Sequence, residues 1–146
     1  MRNAKKNRAW GLGLVLCGLS ASFAQGCGSS DEGTQADKLG VAAECKSNAD
    51  CAKVMIDGVE TQLMCLNQFK GGYCAIEGCE SAVDCPDGST CVAHDDGKNY
   101  CFRVCVEKVE CNANRTADNA ANCSSSFDYA DPADDHGKKA CIPPSG

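Results

Sequence analysis

The hydrophobic positions of this chain fall into two patterns. Residues 9–19 form the longest apolar stretch, and later apolar residues occur in short runs separated by Gly, Asp, Ser and Asn. A basic segment, Arg2 to Arg8, precedes the stretch, and small residues follow it up to Gly26. This order is typical of an export signal, and the stretch is shorter than the roughly 20 residues that a membrane span needs. We therefore interpret residues 1–26 as a signal peptide rather than a permanent anchor.

The end of this leader allows two cleavage sites. Ser22-Phe23-Ala24 fits ordinary signal peptidase, which would release a secreted soluble chain beginning at Gln25. Alternatively, Ala24-Gln25-Gly26-Cys27 resembles the lipobox of bacterial lipoproteins, in which the cysteine is lipidated and becomes the first residue. Ordinary cleavage leaves an odd number of cysteines, whereas lipidation of Cys27 leaves twelve, which can all pair. We therefore expect a lipoprotein with a lipid anchor, palmitate included, at Cys27.

The residues after Cys27 are small and polar. The segment from Gly28 to Asp37 contains no bulky apolar residue, a composition typical of flexible linkers. We predict a disordered tether over residues 27–44. Because Gly28 and Ser29, rather than Asp, follow the cysteine, the lipoprotein resemblance implies the outer membrane of the cell envelope. The membrane is thus the expected partner at this end of the chain, bound through the lipid.

The remaining twelve cysteines form an internal repeat. Each group of four begins with two cysteines separated by five residues, while the later spacings vary. The predicted units are residues 45–78, 79–104 and 105–146. Four cysteines can pair in three ways within a unit, so spacing alone leaves the connectivity open. The four cysteines of each unit, in order, are Cys45, Cys51, Cys65 and Cys74; Cys79, Cys85, Cys91 and Cys101; and Cys105, Cys111, Cys123 and Cys141.

An acidic residue precedes the second cysteine of every unit. These residues are Asp50, Asp84 and Glu110, and the first two follow a serine by three positions, which is the pattern of a capping box on a short helical turn. We interpret all three as local caps that also compensate the turn dipole. The alternative is that they contact a shared cation or a partner.

Turn signals divide the rest of each unit into hairpins. Asp57-Gly58 and Asp95-Asp96-Gly97 each lie between apolar runs and favour tight primed turns. Residues 124–139 are rich in Ser, Asp and Gly, which predicts a long, loose loop near the C-terminus. Units of 25 to 40 residues are too small for a large core, so two disulfides each must supply much of their stability. The predicted fold is small and disulfide-rich, with little regular secondary structure, short β-hairpins and three tandem units.

The second unit carries a resemblance to known modules. Its pattern, with five residues from Cys79 to Cys85, Pro86 and Gly88 before Cys91, and nine residues to Cys101, is similar to the cysteine-rich modules of the Dickkopf N-terminal and EB type. The resemblance implies extracellular protein binding, and it implies that the first cysteine pairs with the third and the second with the fourth. The implied bridges are Cys45–Cys65, Cys51–Cys74, Cys79–Cys91, Cys85–Cys101, Cys105–Cys123 and Cys111–Cys141.

The sequence offers little support for catalysis or for nucleic-acid binding. Without the leader, 10 basic and 20 acidic residues give a net charge of −10, which disfavours contact with phosphate backbones. There is no Cys-x-x-Cys and no nucleophile or zinc motif, so we expect neither an enzyme nor a cofactor or metal. His94 beside Asp95 could be a base with its carboxylate, but a solvated histidine at a hairpin tip is the simpler interpretation. The acidic residues of 128–135 form either a weak Ca²⁺ site or an ordinary charged loop.

Two functions remain open. The first is a non-catalytic protein-binding or adhesion module, in which a rigid cystine frame presents variable loops. Its candidate loops are Val54–Leu63, His94–Asn99 and Ser124–Lys139. The alternative is a small hydrolase inhibitor that inserts one taut loop into an active site, and Pro86–Thr90 is its candidate.

Overall fold

The computed structural model of the protein describes Asp37 and residues 40–146. The predicted signal peptide, the lipidation of Cys27 and most of the predicted tether lie outside these residues. The described part contains nine short strands, one four-residue helix and four 3-10 turns. It is disulfide-rich with little regular structure, as predicted. The strands are β1 (Lys53–Ile56), β2 (Val59–Gln62), β3 (Met64–Cys65), β4 (Cys74–Ala75), β5 (Ser89–Ala93), β6 (Asn99–Cys105), β7 (Asn122–Ser124), β8 (Asp128–Tyr129) and β9 (Lys139–Ile142), and the helix is α1 (Lys108–Cys111).

All three units share one local plan. The first two cysteines flank a short helical turn, and the last two lie directly opposite each other on antiparallel strands. These facing cysteines do not bond to each other. Each reaches back to the turn, so that two bridges fasten every turn to its two-stranded ribbon. The facing pairs are Cys65 and Cys74, Cys91 and Cys101, and Cys123 and Cys141.

The hairpin turns follow the predicted positions, but only one is primed. Asp57 and Gly58 both have positive φ, at 49° and 80°, as a two-residue primed turn requires. In the turn over Asp95-Asp96-Gly97 only Gly97 has positive φ, and its amide donates to the His94 carbonyl at 2.9 Å. A three-residue connection forms a type I turn closed by a left-handed glycine instead of a primed turn.

The ribbons of the second and third units merge into one sheet. Its strand order is β7-β9-β6-β5-β8, and neighbouring strands are antiparallel. The sequence predicted only separate two-stranded ribbons, and that prediction holds for β1-β2 and β3-β4 in the first unit. The difference arises because β6 extends past Cys101 to Cys105, where Val104 and Cys105 pair with β9. The link between the two units is therefore itself a strand.

Four aromatic side chains form a common core between the first two units. Phe69 and Tyr73 come from the first unit, and Tyr100 and Phe102 come from β6. Phe69 packs edge-on against the other three rings at centroid distances of 5.4–6.0 Å, and all four side chains are buried. The sequence predicted units too small for a large core. Instead these four residues together build a core that the single units do not possess.

The N-terminal edge of the described domain lies inside the predicted tether. Val41 and Ala42 are buried in the core, and the Ala42 amide donates to the Cys74 carbonyl at 3.1 Å. The Cys74 amide in turn donates to Ala43. Residues 41–44 therefore belong to the folded domain, and the boundary at residue 44 is wrong. The signal that was missed is the short apolar run Val41-Ala42-Ala43, which follows Gly40.

The segment predicted to be a loose loop contains regular structure. Within residues 124–139, β8 pairs with β5, and a 3-10 turn spans Pro132–Asp134. The Asp134 carboxylate accepts a hydrogen bond from the Ala82 amide at 2.6 Å, which joins this segment to the second unit. Its polar composition thus reflects local turns and cross-unit contacts.

Among the described residues, no helix combines the length and the hydrophobicity that a membrane span requires.

Candidate functional site

The cystine frame is the structural basis for any binding surface on this domain. Six disulfides are present, and each unit joins its first cysteine to the third and its second to the fourth. This is the pairing that the module resemblance implies. Within each unit three of the sulfur atoms lie within 4.8 Å of one another, so the two bridges are packed together. All of these sulfurs are bonded in disulfides, which leaves no thiolate there to bind a metal.

The three carboxylates that precede the second cysteine of each unit cap the short helical turns. Asp50 accepts hydrogen bonds from the amides of Lys46 and Ser47, both at 2.9 Å. Asp84 makes the same pair of contacts with Glu80 and Ser81, and Glu110 makes them with Val106 and Glu107. These N–H donors lower the pKa of the Asp50 and Glu110 carboxyls. The contacts support the capping interpretation, and they extend it to the third unit, where Glu107 replaces the serine.

Two of the three candidate binding loops converge on one cavity. This cavity, the His94 cleft, has a volume of about 460 Å³ and lies between the β5–β6 turn and residues 125–128. The pairing of β8 with β5 brings the two segments together, because it places Asp128 opposite Ala93. The apolar floor comes from Val92, Phe102 and Ile142, and the rim comes from His94, Asp95, Ser125, Ser126, Phe127 and Asp128.

His94 is held at the rim by a hydrogen-bonded chain. Its ring packs edge-on against Phe69 and Tyr100, with centroids 5.2 and 5.7 Å away. Its Nδ1 lies 3.2 Å from a carboxylate oxygen of Asp96 and accepts from the Asp96 amide at 3.3 Å. The Tyr100 hydroxyl donates to the other Asp96 oxygen at 2.7 Å, and Gln68 donates to that hydroxyl at 2.8 Å. Asp96, rather than the neighbouring Asp95 of the alternative interpretation, is therefore the acidic residue that contacts the imidazole.

The same chain shifts the acidity of its members. The hydrogen bond from Tyr100 lowers the pKa of the Asp96 carboxyl. Burial raises the pKa of the Tyr100 phenol well above its usual value, and the Asp96 charge raises it further. At neutral pH the Tyr100 proton and the Asp96 charge are thus both retained, so the hydrogen bond between them is maintained.

A second cavity lies next to the His94 cleft at β8. It has a volume of about 340 Å³ and shares Phe127 and Asp128 with the first cavity. We refer to the two cavities together as the β8 groove. The ring centroids of Phe127 and Tyr129, which both line it, are 4.9 Å apart. Its far end is formed by Tyr129, Pro132 and Asp135.

The third candidate loop forms a separate surface. The β1–β2 hairpin exposes Met55 and Val59, whose side chains are 55% and 64% accessible. A salt bridge between Lys53 and Glu60 at 2.9 Å joins its two strands. The residues that line the β8 groove include none of this hairpin. The three candidate loops therefore form two separate surfaces, one at the β1–β2 hairpin and one at the β8 groove.

The loop proposed for an inhibitor is not shaped for that task. Between Cys85 and Cys91, Pro86, Ser89 and Thr90 are buried, and Asp87 is the one exposed residue. The Gly88 carbonyl accepts from the Val104 amide at 2.8 Å, which ties the loop to β6. A loop that inserts into an active site must protrude, so nothing in this geometry favours the inhibitor alternative.

The acidic segment does not gather its carboxylates at one point. Asp131, Asp134 and Asp135 accept hydrogen bonds from the amides of Ala133, Ala82 and Gly137, respectively. Among the described residues, the groups of three or more potential metal ligands that lie close together consist entirely of cysteines. The charged-loop interpretation therefore fits the structure, and the geometry gives no support to a Ca²⁺ site.

Arg115 has a structural role that the sequence did not predict. The motif Asn114-Arg115-Thr116 draws attention to its asparagine as a formal glycosylation acceptor. In the structure the important member is the arginine, whose guanidinium donates to four backbone carbonyls, those of Ala42, Lys70, Gly72 and Asn119. A lone arginine in a polar segment is the only signal that could have indicated this role.

Comparison with known proteins assigns no family or function to this chain. No protein-family model matches the chain, and no curated protein or solved structure matches it either.

Proposed function

We propose that this chain is an exported lipoprotein, anchored through Cys27 to the outer membrane of the cell envelope, whose cystine-framed domain binds a protein partner without catalysis. The observation that carries the anchoring step is the completeness of the disulfide frame. The twelve cysteines of the three units pair among themselves in six bridges, so none of them is left to pair with Cys27. A cysteine without a disulfide partner is unusual in an oxidising compartment, and lipidation accounts for it.

The observation that carries the binding step is the β8 groove. Two loops whose lengths differ between the units, while the frame repeats, meet at one cavity with an apolar floor and a polar rim. Cavities of this composition on a rigid frame are characteristic of recognition sites. Ser125 and Ser126 line the groove with His94, but among the described residues no hydrogen bond joins either hydroxyl to the imidazole. The arrangement supports recognition rather than bond cleavage.

The anchoring step is tested by Cys27→Ser in the full chain expressed in an exporting bacterial host. The expected result is loss of labelled palmitate and transfer of the protein from the membrane to the soluble fraction. Cys17→Ser is the matched control, because Cys17 lies inside the predicted leader, and its palmitate labelling is expected to be unchanged. Unchanged membrane retention of the Cys27 variant would exclude the lipid anchor.

The binding step is tested with a photo-crosslinking amino acid at Ser126, on the groove rim. Asp118 is the control position because it is exposed and does not line the groove. On intact cells, Ser126 is expected to give a discrete crosslinked protein that disappears when excess unlabelled domain is added. Equal products from both positions, or none from Ser126, would contradict a binding role for the groove.

A further inference from the structure

We infer that the β8 groove binds an extended peptide segment of a partner that carries Lys or Arg side chains, and that this segment adds as a strand along β8. The inference deepens the proposed function and rests on it, since it names the chemistry of the partner at the same site. Three features of the groove support it: its charge, its aromatic wall and the free edge of its strand.

The groove is lined by acidic residues, and some of their carboxylates have no partner within the described residues. Asp95, Asp128 and Asp135 line it, and its described lining contains no Lys or Arg. The Asp135 carboxylate accepts a hydrogen bond from the Gly137 amide, whereas the carboxylates of Asp95 and Asp128 make no hydrogen bond or ion pair within the described residues. Asp95 and Asp128 both line the His94 cleft, so a cationic side chain bound there would be close to both residues. Opposite charge across an interface steers association and selects the partner.

The acidic residues near the groove also affect the pKa of Tyr129. Burial raises the pKa of its phenol, and the carboxylates of Asp134 and Asp135 raise it further. The Phe127 and Tyr129 rings form a wall along the groove. Aromatic faces attract ammonium and guanidinium groups, so this wall and the carboxylates favour the same kind of ligand.

The backbone of β8 supplies the third feature. β8 is the last strand on its side of the five-stranded sheet. The Ala130 amide donates to the Cys91 carbonyl at 3.1 Å, so it points toward β5. Because successive residues of a strand direct their amides to opposite sides, the amide and carbonyl of Tyr129 point away from β5. An extended peptide can pair with these two groups, as peptides do at exposed sheet edges.

The test uses the mature lipoprotein in a neutral detergent with its disulfides intact. The probe is a fluorescein-labelled hexapeptide of alternating lysine and threonine, and the control peptide replaces each lysine by glutamate. We expect saturable binding of the lysine peptide alone, weakened at least about tenfold between 50 and 500 mM NaCl, since salt screens exposed charge pairs. Equal binding of the glutamate peptide would overturn the inference.

Two matched double variants locate the binding. Asp95→Asn with Asp128→Asn removes the uncommitted carboxylates, and we expect it to weaken the lysine peptide at least about tenfold. Asp57→Asn with Asp118→Asn changes the net charge equally, at positions outside the groove, and should change affinity by less than about twofold. Equal losses from both double variants would mean a diffuse charge effect and would overturn the assignment to the groove.

Two further probes separate strand addition from simple cation binding. A lysine peptide with N-methylated threonine amides cannot complete a strand pair, and we expect it to bind more weakly. Spermidine carries comparable charge without a peptide backbone. If spermidine competes as well as the peptide and methylation has no effect, the groove takes cations without strand addition and the inference fails. If the lysine peptide does not bind while the crosslink at Ser126 persists, the inference fails and the proposed function stands.

Discussion

The guanidinium of Arg115 lies 5.7 Å from the ring centroid of Tyr73, over the face of the ring. This contact connects the third unit to the first. The same guanidinium donates to the carbonyls of Ala42, Gly72 and Lys70 at 2.7–3.0 Å. Tyr73 is fully buried, and its hydroxyl donates to the Cys141 carbonyl at 3.0 Å. The two side chains thus connect elements that are far apart in sequence, and no disulfide crosses between the same units.

Arg115→Lys should destabilise the domain by about 2–4 kcal/mol, because an ammonium group cannot reach several carbonyls that a planar guanidinium satisfies together. The free energy of unfolding is measured by guanidinium chloride titration with the disulfides intact. Lys46→Arg, at an exposed position, is the control and should change that free energy by less than about 0.5 kcal/mol. A near-neutral Arg115→Lys would mean that the contacts of the guanidinium do not hold the first and third units together.

Gly72→Ala should be among the most destabilising single substitutions. Gly72 has φ of +69°, and a Cβ there would lie 2.1 Å from the Cys45 carbonyl oxygen, whose backbone cannot move without straining a disulfide. We expect a loss of about 3 kcal/mol or more in the same titration. Gly97→Ala is the control, since its φ of +82° is similar but the space around it is open, and it should cost about 1 kcal/mol. Equal losses at the two positions would show that backbone conformation, not the close approach, sets the cost.

The disulfide pattern is open to direct mapping. Proteolysis of the unreduced protein followed by mass spectrometry should link the first cysteine of each unit to the third and the second to the fourth. The closest competing arrangement joins neighbouring units, as a bridge from Cys74 to Cys79 or from Cys101 to Cys105. Either bridge would contradict the frame described above.

The second unit should not fold fully when it is excised. In an oxidised peptide of residues 79–104, Tyr100 and Phe102 lose their contacts with Phe69 and Tyr73, and β6 loses its pairing with β9. Small units with so little core of their own are marginal even when they are cross-linked. Amide hydrogen exchange should be much faster in β5 and β6 of the peptide than in the intact protein. Equal protection in both would mean that the units fold independently.

Acid should destabilise the domain partly through its caps. Backbone N–H groups lower the pKa of Asp50 and Glu110 in the folded state, below the ordinary values of 3.8 and 4.5. Their contribution is therefore present above those ordinary values and is lost as the pH falls through the lowered ones. We expect the free energy of unfolding to fall between roughly pH 5 and pH 2. The fall should be shallower for Asp50→Asn with Glu110→Gln, and Asp118→Asn should leave it unchanged. Identical slopes in all three proteins would contradict this role.

The local structure of this protein follows closely from its sequence. The fixed spacing of five residues, with an acidic residue before the second cysteine, encodes a capped turn three times over, because every contact it needs lies within five residues. Asp57-Gly58 encodes its own turn for the same reason. Cysteine parity separates Cys27 from the other twelve, and the disulfide-rich class follows from composition and unit size.

The tertiary structure decided how the units combine. Phe69 meets Tyr100 and Phe102 from a distance of more than thirty residues, and Arg115 reaches carbonyls up to 73 residues away. No periodicity or spacing marks such contacts, because they depend on where the frame places each strand. The same holds for the groove, whose two sides are brought together by the pairing of β8 with β5. Short-range turn chemistry was therefore predictable, and long-range packing required the folded chain.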